Sequence, residues 1–179
     1  MLICTYGLFW RVDNVFWGRP RNLGSLLGVP ASEKGFGVVD FREQAGIYAL
    51  YADYDLIYVG QTGGKKQKLM VRLNQHRKKD LAGRWNMFSW FGTRDVLGTG
   101  KLKAEKAGAS STHEHALNHL EAILIHVAEP SLNRQGGKWG DNVEQYLQQR
   151  DKRLGPSVPV MVEELWKKGM EGEAIGVKS

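Results

Sequence analysis

Gly46-Ile47-Tyr48-Ala49-Leu50-Tyr51-Ala52-Asp53-Tyr54-Asp55-Leu56-Ile57-Tyr58-Val59-Gly60 sets two β-prone runs around an Asp-Tyr-Asp turn, which is the pattern of a β-hairpin. With a three-residue loop at 53–55, Ala52 faces Leu56 and Tyr48 faces Gly60. That register gathers Ile47, Ala49, Tyr51, Ile57 and Val59 on one apolar face. The other face carries Tyr48 and Tyr58, diagonal neighbours about 7–8 Å apart at Cα. Two hydroxyls can then enter one pocket, and Gly60 beside Tyr48 keeps that face open. Either tyrosine alone is an ordinary strand residue.

The next stretch adds chemistry to that face. Leu69 to Leu81 reads as a helix whose core edge is Leu69, Met70 and Leu73, and Arg72 and His76, four apart, share another face. Asn86 to Phe91 reads as a third strand, and Gly98 to Ser111 as a loop rich in Gly, Lys, Ala and Ser. From Ala116 to Ala128 a second helix is expected, with Leu117, Leu120, Leu124 and Val127 as its buried stripe. Glu121 lies on that stripe. An unpaired buried carboxylate costs several kcal/mol, so a metal ion, a hydrogen-bond network or a buried Arg is required to meet it. Pro130 closes this helix shortly before Asn133.

Gly46-Ile47-Tyr48, Tyr58-Val59-Gly60, Arg72, His76, Glu121 and Asn133 occur in an order that resembles the GIY-YIG nuclease superfamily. The resemblance covers Gly46 to about Gly137. It implies an α/β fold of the α+β type, a small, mainly antiparallel three-stranded sheet flanked by helices. It also implies a metal-dependent endonuclease in which Glu121 binds a divalent ion, Mg²⁺ or Mn²⁺, and a hard cation suits one carboxylate plus phosphate oxygens and waters. Arg72 resembles the arginine on the scissile phosphate, whose fork fits two oxygens. Tyr48 resembles the general base, Tyr58 a second tyrosine aimed at the phosphate, His76 a hydrogen-bonding or proton-relaying partner, and Asn133 a group that holds the site together. An unperturbed tyrosine titrates near 10, so Tyr48 and His76 compete for the role of base. Gln61 stands where many members of the family carry a lysine, and Gly63 to Lys68 lengthens the path to Arg72.

Composition agrees with a polyanionic partner. The 179 residues hold 25 Lys and Arg against 19 Asp and Glu, a net charge of +6. Lys65, Lys66, Lys68, Arg72, Arg77, Lys78, Lys79 and Arg84 cluster against Asp80 alone; apart from Arg72 they are the candidate nucleic-acid-binding residues, with DNA favoured over RNA. The alternatives are a ribonuclease, since nothing here reads a 2′-hydroxyl, and a catalytically silent nucleic-acid-binding module. His113, His115 and His119 suggest zinc, but Ala116 stands where a zincin carries its glutamate. The single cysteine, Cys4, excludes an internal disulfide and a multi-cysteine metal site. Met1 to Phe9 is too short and too soon charged for a leader or a membrane span, so a cytoplasmic, soluble monomer or homodimer is expected.

Three units are expected along the chain: an N-terminal extension packed on the core (1–45), a nuclease-like core (46–137) and a C-terminal helical extension (138–179). Within the last, helices are expected over 140–152 and 158–169, with a fraying end beyond. The tryptophans of the first unit, Trp10 and Trp17, are expected to pack against the core.

Overall fold

The computed structural model describes residues 3–20, 24–32, 37–62, 67–79, 81–104, 119, 122–123 and 143–175, with side chains to residue 167. The expected hairpin forms from β4 (Gly46–Ala52) and β5 (Asp55–Thr62). Its turn is tighter than expected. Asp53 and Tyr54, with φ of 48° and 79°, are both left-handed, as a two-residue turn requires if it is to match the strand twist. Ala52 therefore pairs with Asp55 and Tyr51 with Leu56, and a bulge then brings Leu50 to Tyr58 and Tyr48 to Gly60. The bulge absorbs one residue, so the register at the tyrosines is the one read from the sequence.

The expectation of a small three-stranded sheet is corrected. The hairpin is one end of a seven-stranded mixed sheet in the order β3-β2-β7-β1-β6-β4-β5. The added strands are β1 (Thr5–Arg11), β2 (Leu27–Pro30), β3 (Val39–Asp40) and β7 (Glu144–Gln148), and β6 (Met87–Gly92) is the expected third strand. β1 lies between β6, to which it is antiparallel, and β7, to which it is parallel. The helix expected over 140–152 is thus a strand in its middle. Glu-Gln-Tyr-Leu-Gln has good helix formers, but pairing on both sides outweighs a preference of a few tenths of a kcal/mol per residue.

Two α-helices have bounds among the described residues, α1 (Leu69–Lys78) and α2 (Val158–Ile175); α2 runs beyond the end expected for it. His119, Ala122 and Ile123 are helical too. Helix α1 covers one sheet face. Leu69 and Leu73 join Tyr48, Leu50, Phe88 and Trp90 in a core that also holds Trp10 and Phe41, with Trp10 standing edge-on to Trp90 at 5.3 Å. On the opposite face Ile123 packs with Ile3, Tyr6, Ala49, Tyr51, Met87 and Phe91. All six residues of β6 are buried, as a strand between two filled faces requires.

Candidate active site

Helix α1 is held by its first turn. The N–H groups of Leu69 and Met70 have no partner within the helix, and they donate to the carbonyls of Gln44 and Arg42 at 2.9 and 3.1 Å. Gln44 is itself buried, donating to Thr5 Oγ1 and accepting from the Ala45 and Arg94 amides, each near 3 Å. The chain enters β4 two residues later. The segment that starts the Tyr48 strand therefore also fixes where α1 begins, and one and two turns on, Arg72 and His76 face the strand.

Tyr48 Oη and His76 Nε2 are 2.8 Å apart. Ring centroids separate Tyr48 from Tyr58 by 6.1 Å and Tyr58 from His76 by 4.6 Å. The two tyrosines thus share a face as expected, but Gly60 does not leave that face open: the Tyr48 ring fills the space. A Cβ on Gly60 would lie against Tyr48 Oη and 2.5 Å from Tyr48 Cζ. Gly46, at φ of +149° and with no room for a Cβ beside the Phe91 carbonyl, is the other glycine the local geometry demands.

Arg72 stands beside the tyrosines. Its Nη1 donates to Gln75 Oε1 at 3.1 Å, whereas its Nε is buried and has no hydrogen-bond partner among the described residues. The neighbouring Tyr48 oxygen, and after it Tyr58, holds the guanidinium above its usual range. Burial pushes the Tyr48 phenol up, and the opposing pull of Arg72 does not cancel it. Tyr48 therefore keeps its proton at neutral pH. It is also fully buried, so its hydroxyl is reached only through its neighbours.

Those neighbours line an open cleft of about 370 Å³ formed by Tyr58, Gln67, Arg72, Gln75, His76, Lys79 and Leu81. Gln67, Gln75 and Leu81 were not among the expected site residues. Gln75 had a signal, its place three residues after Arg72; Gln67 and Leu81 had none. The described polar lining, a guanidinium, an ammonium, a phenol, an imidazole and two amides, suits phosphate oxygens better than a metal ion. Among the described residues no group of three or more His, Cys, Asp or Glu could hold an ion. Glu121 and Asn133 lie outside the described residues, as do Lys65, Lys66, His113 and His115. His119 Nδ1 accepts from the Ile3 amide at 3.1 Å.

The rest of the basic segment divides. Lys68 caps α1. Arg77 lies 4.8 Å over the Trp17 ring and reaches Asn74 Oδ1, which gives it a packing role. Lys78, Lys79 and Arg84 are exposed. No helix among the described residues is long and apolar enough to cross a membrane. Compared with family models, with curated proteins and with solved structures, the chain matches none.

Proposed function

We propose that this chain is a metal-dependent endonuclease of the GIY-YIG type, hydrolysing phosphodiester bonds with DNA as its favoured substrate and working in the cytoplasm. The observation that carries the reading is Arg72: a guanidinium with a buried, unpartnered Nε, next to Tyr58, His76 and Lys79 in an open polar cleft. A buried donor without an acceptor costs about 1–3 kcal/mol, and a guanidinium that turns towards a phosphoryl oxygen in the cleft would give that donor its acceptor. The resemblance in sequence order supports the same reaction.

In this mechanism Arg72 and Lys79 bind the phosphate, and Arg72 gains most as charge builds on its oxygens. Tyr58 orients the phosphate from the strand side. His76, the member of the Tyr48–His76 pair that faces the cleft, takes the proton from the attacking water. Tyr48 is a positioning residue that fixes the imidazole through Nε2. A divalent ion held by Glu121, when bound, would polarise the phosphoryl group and ease departure of the leaving oxygen.

The test is a single-turnover assay on duplex DNA, single-stranded DNA and RNA, each with Mg²⁺ or EDTA. Mg²⁺-dependent scission is expected, with Arg72→Ala slower by about 10² and Arg72→Lys poorly rescued, since an ammonium lacks the fork. Glu121→Gln should abolish the Mg²⁺-dependent scission. Cutting of RNA alone would move the substrate, and binding without any cutting would leave a silent nucleic-acid-binding module.

A further inference from the structure

Gln75 grips Arg72 from within the same helix. It lies three residues on along α1, on the same face, and its Oε1 accepts from Arg72 Nη1 at 3.1 Å. A guanidinium only donates, so the amide is fixed with its oxygen towards Arg72. Both side chains line the cleft. Where the contact falls on the fork is informative. A guanidinium carries parallel pairs of N–H bonds, one along Nε and Nη2 and another along Nη1 and Nη2. Gln75 holds Nη1, outside the first pair, and that pair contains Nε, the buried donor with no partner among the described residues.

The chemistry of the tether matters as much as its place. A carboxylate at position 75 could hold the fork too, but it would offset the charge that an incoming anion has to feel. An amide holds the fork and leaves it fully positive. No carboxylate lines the cleft among the described residues, and Lys79 adds a second cation. Because Nε is buried, the guanidinium has to turn before its side edge can meet an anion. An acceptor on Nη1 sets the pivot of that turn, and it reduces the freedom a long side chain loses when the anion arrives.

Resting on the reading of the cleft as a phosphate site, we infer that Gln75 is a positioning residue. It holds Arg72 by Nη1 so that the fork turns its Nε–Nη2 edge, rather than its end, to two phosphate oxygens.

Two measurements test this, and the first needs no activity. Inorganic phosphate is titrated into the isotopically labelled full chain while the Arg72 Nε–H signal is followed by NMR. A saturable shift is expected in the wild type. Gln75→Met keeps length and helix propensity but lacks the acceptor, and it should need roughly two- to tenfold more phosphate, the worth of ordering one long side chain. Gln75→Glu keeps an acceptor but adds a negative charge, and should bind phosphate more weakly still. An Arg72 signal that phosphate does not move would overturn the edge assignment. Equal midpoints in wild type and Gln75→Met would overturn the tether, and wild-type affinity in Gln75→Glu would overturn the charge argument.

The second measurement pairs single-turnover cleavage with oligonucleotide binding. Gln75→Met should cut about tenfold more slowly, since small misplacements are costly in rate, while its Kd for the oligonucleotide stays within about twofold, as expected of an effect on the transition state. In the Arg72→Lys background Gln75→Met should cost nothing more, because no fork remains to be held. A further tenfold loss there would show Gln75 acting independently of Arg72 and would overturn the inference. Unchanged Tm in each variant, expected at a half-buried helix position, separates these effects from misfolding. A wild type that responds to phosphate but cuts neither DNA nor RNA would refute the nuclease reading alone, with the phosphate titration still deciding the role of Gln75.

Discussion

Gly60→Ala tests the site through one methyl group. The new Cβ would sit 2.5 Å from Tyr48 Cζ and 2.8 Å from Tyr58 Cε1, against about 3.5–4.0 Å for carbon atoms in contact, so Tyr48 must retreat by roughly 1 Å. It has little room, being fully buried and packed in the core under α1. Overpacking of this kind costs about 1–3 kcal/mol, and the reduced entropy of the unfolded chain returns only about 0.4–1 kcal/mol. For a chain of this size each kcal/mol moves the midpoint by about 2–4 °C, so Tm should fall by several degrees. The same retreat stretches the 2.8 Å Tyr48–His76 contact beyond hydrogen-bonding range. Misplacement by about 1 Å can cost 10² in rate, so single-turnover cleavage well below Tm should fall by one to two orders of magnitude. Val59→Ala, at an exposed neighbour on the same strand, should change neither quantity much. A Gly60→Ala variant with wild-type Tm and wild-type rate would refute both the packing argument and the positioning role of Tyr48.

The pH profile of cleavage should show a limb near the histidine range of about 6.5 that disappears in His76→Ala; Tyr48→Phe should keep measurable activity, whereas an activity confined to alkaline pH and abolished by Tyr48→Phe would return the role of base to the phenolate. Neutralising Lys78 and Lys79 should reduce the salt slope of duplex binding by about 0.9 per lost phosphate contact, and an unchanged slope would place the binding surface elsewhere. Tyr146, on β7, is buried in the core against Phe41 and is pushed up to about 12, by burial first and by Glu144 second. It therefore keeps its proton between pH 10 and 12 while the unfolded chain has lost it, the native state binds more protons, and stability falls as pH rises through that window. The span corresponds to about 2–3 kcal/mol; Tyr146→Phe should flatten that part of the alkaline unfolding curve, and an unaltered curve would count against it.

The parts of this fold that were legible in the sequence are those built from neighbours along the chain. The β4–β5 hairpin and α1 have their own periodicity, and the Tyr48–Gly60 pairing follows from which faces are apolar. The turn was misplaced by one residue because Asp53 and Tyr54 adopt left-handed backbone without a glycine to announce it, and the bulge that restores the register leaves no compositional mark. The remaining strands depend on distant partners. β7 is polar apart from Tyr146 and Leu147, and only Tyr146 is buried, so no alternation marks it as a strand. Within the site, the sharing of a helix face by Arg72 and His76 could be read from spacing. The anchoring of α1 by the Arg42 and Gln44 carbonyls could not, since backbone acceptors carry no residue signature.

The position of β1 bears on how the chain is made. Its N-terminal strand is flanked by β6 on one side and by β7 on the other, and Tyr6 meets Gln145 across a separation of 139 residues. At a synthesis rate of about 5–20 residues per second, β1 would wait roughly 7–30 s on the ribosome for its parallel neighbour, with an open ladder of amides and carbonyls exposed meanwhile. The hairpin and α1, by contrast, find their partners almost as soon as they emerge. The cleft would therefore be shaped early and locally, whereas the sheet that supports it closes last. During that interval the nascent chain is most open to chaperone capture or to a mistaken strand pairing with another copy.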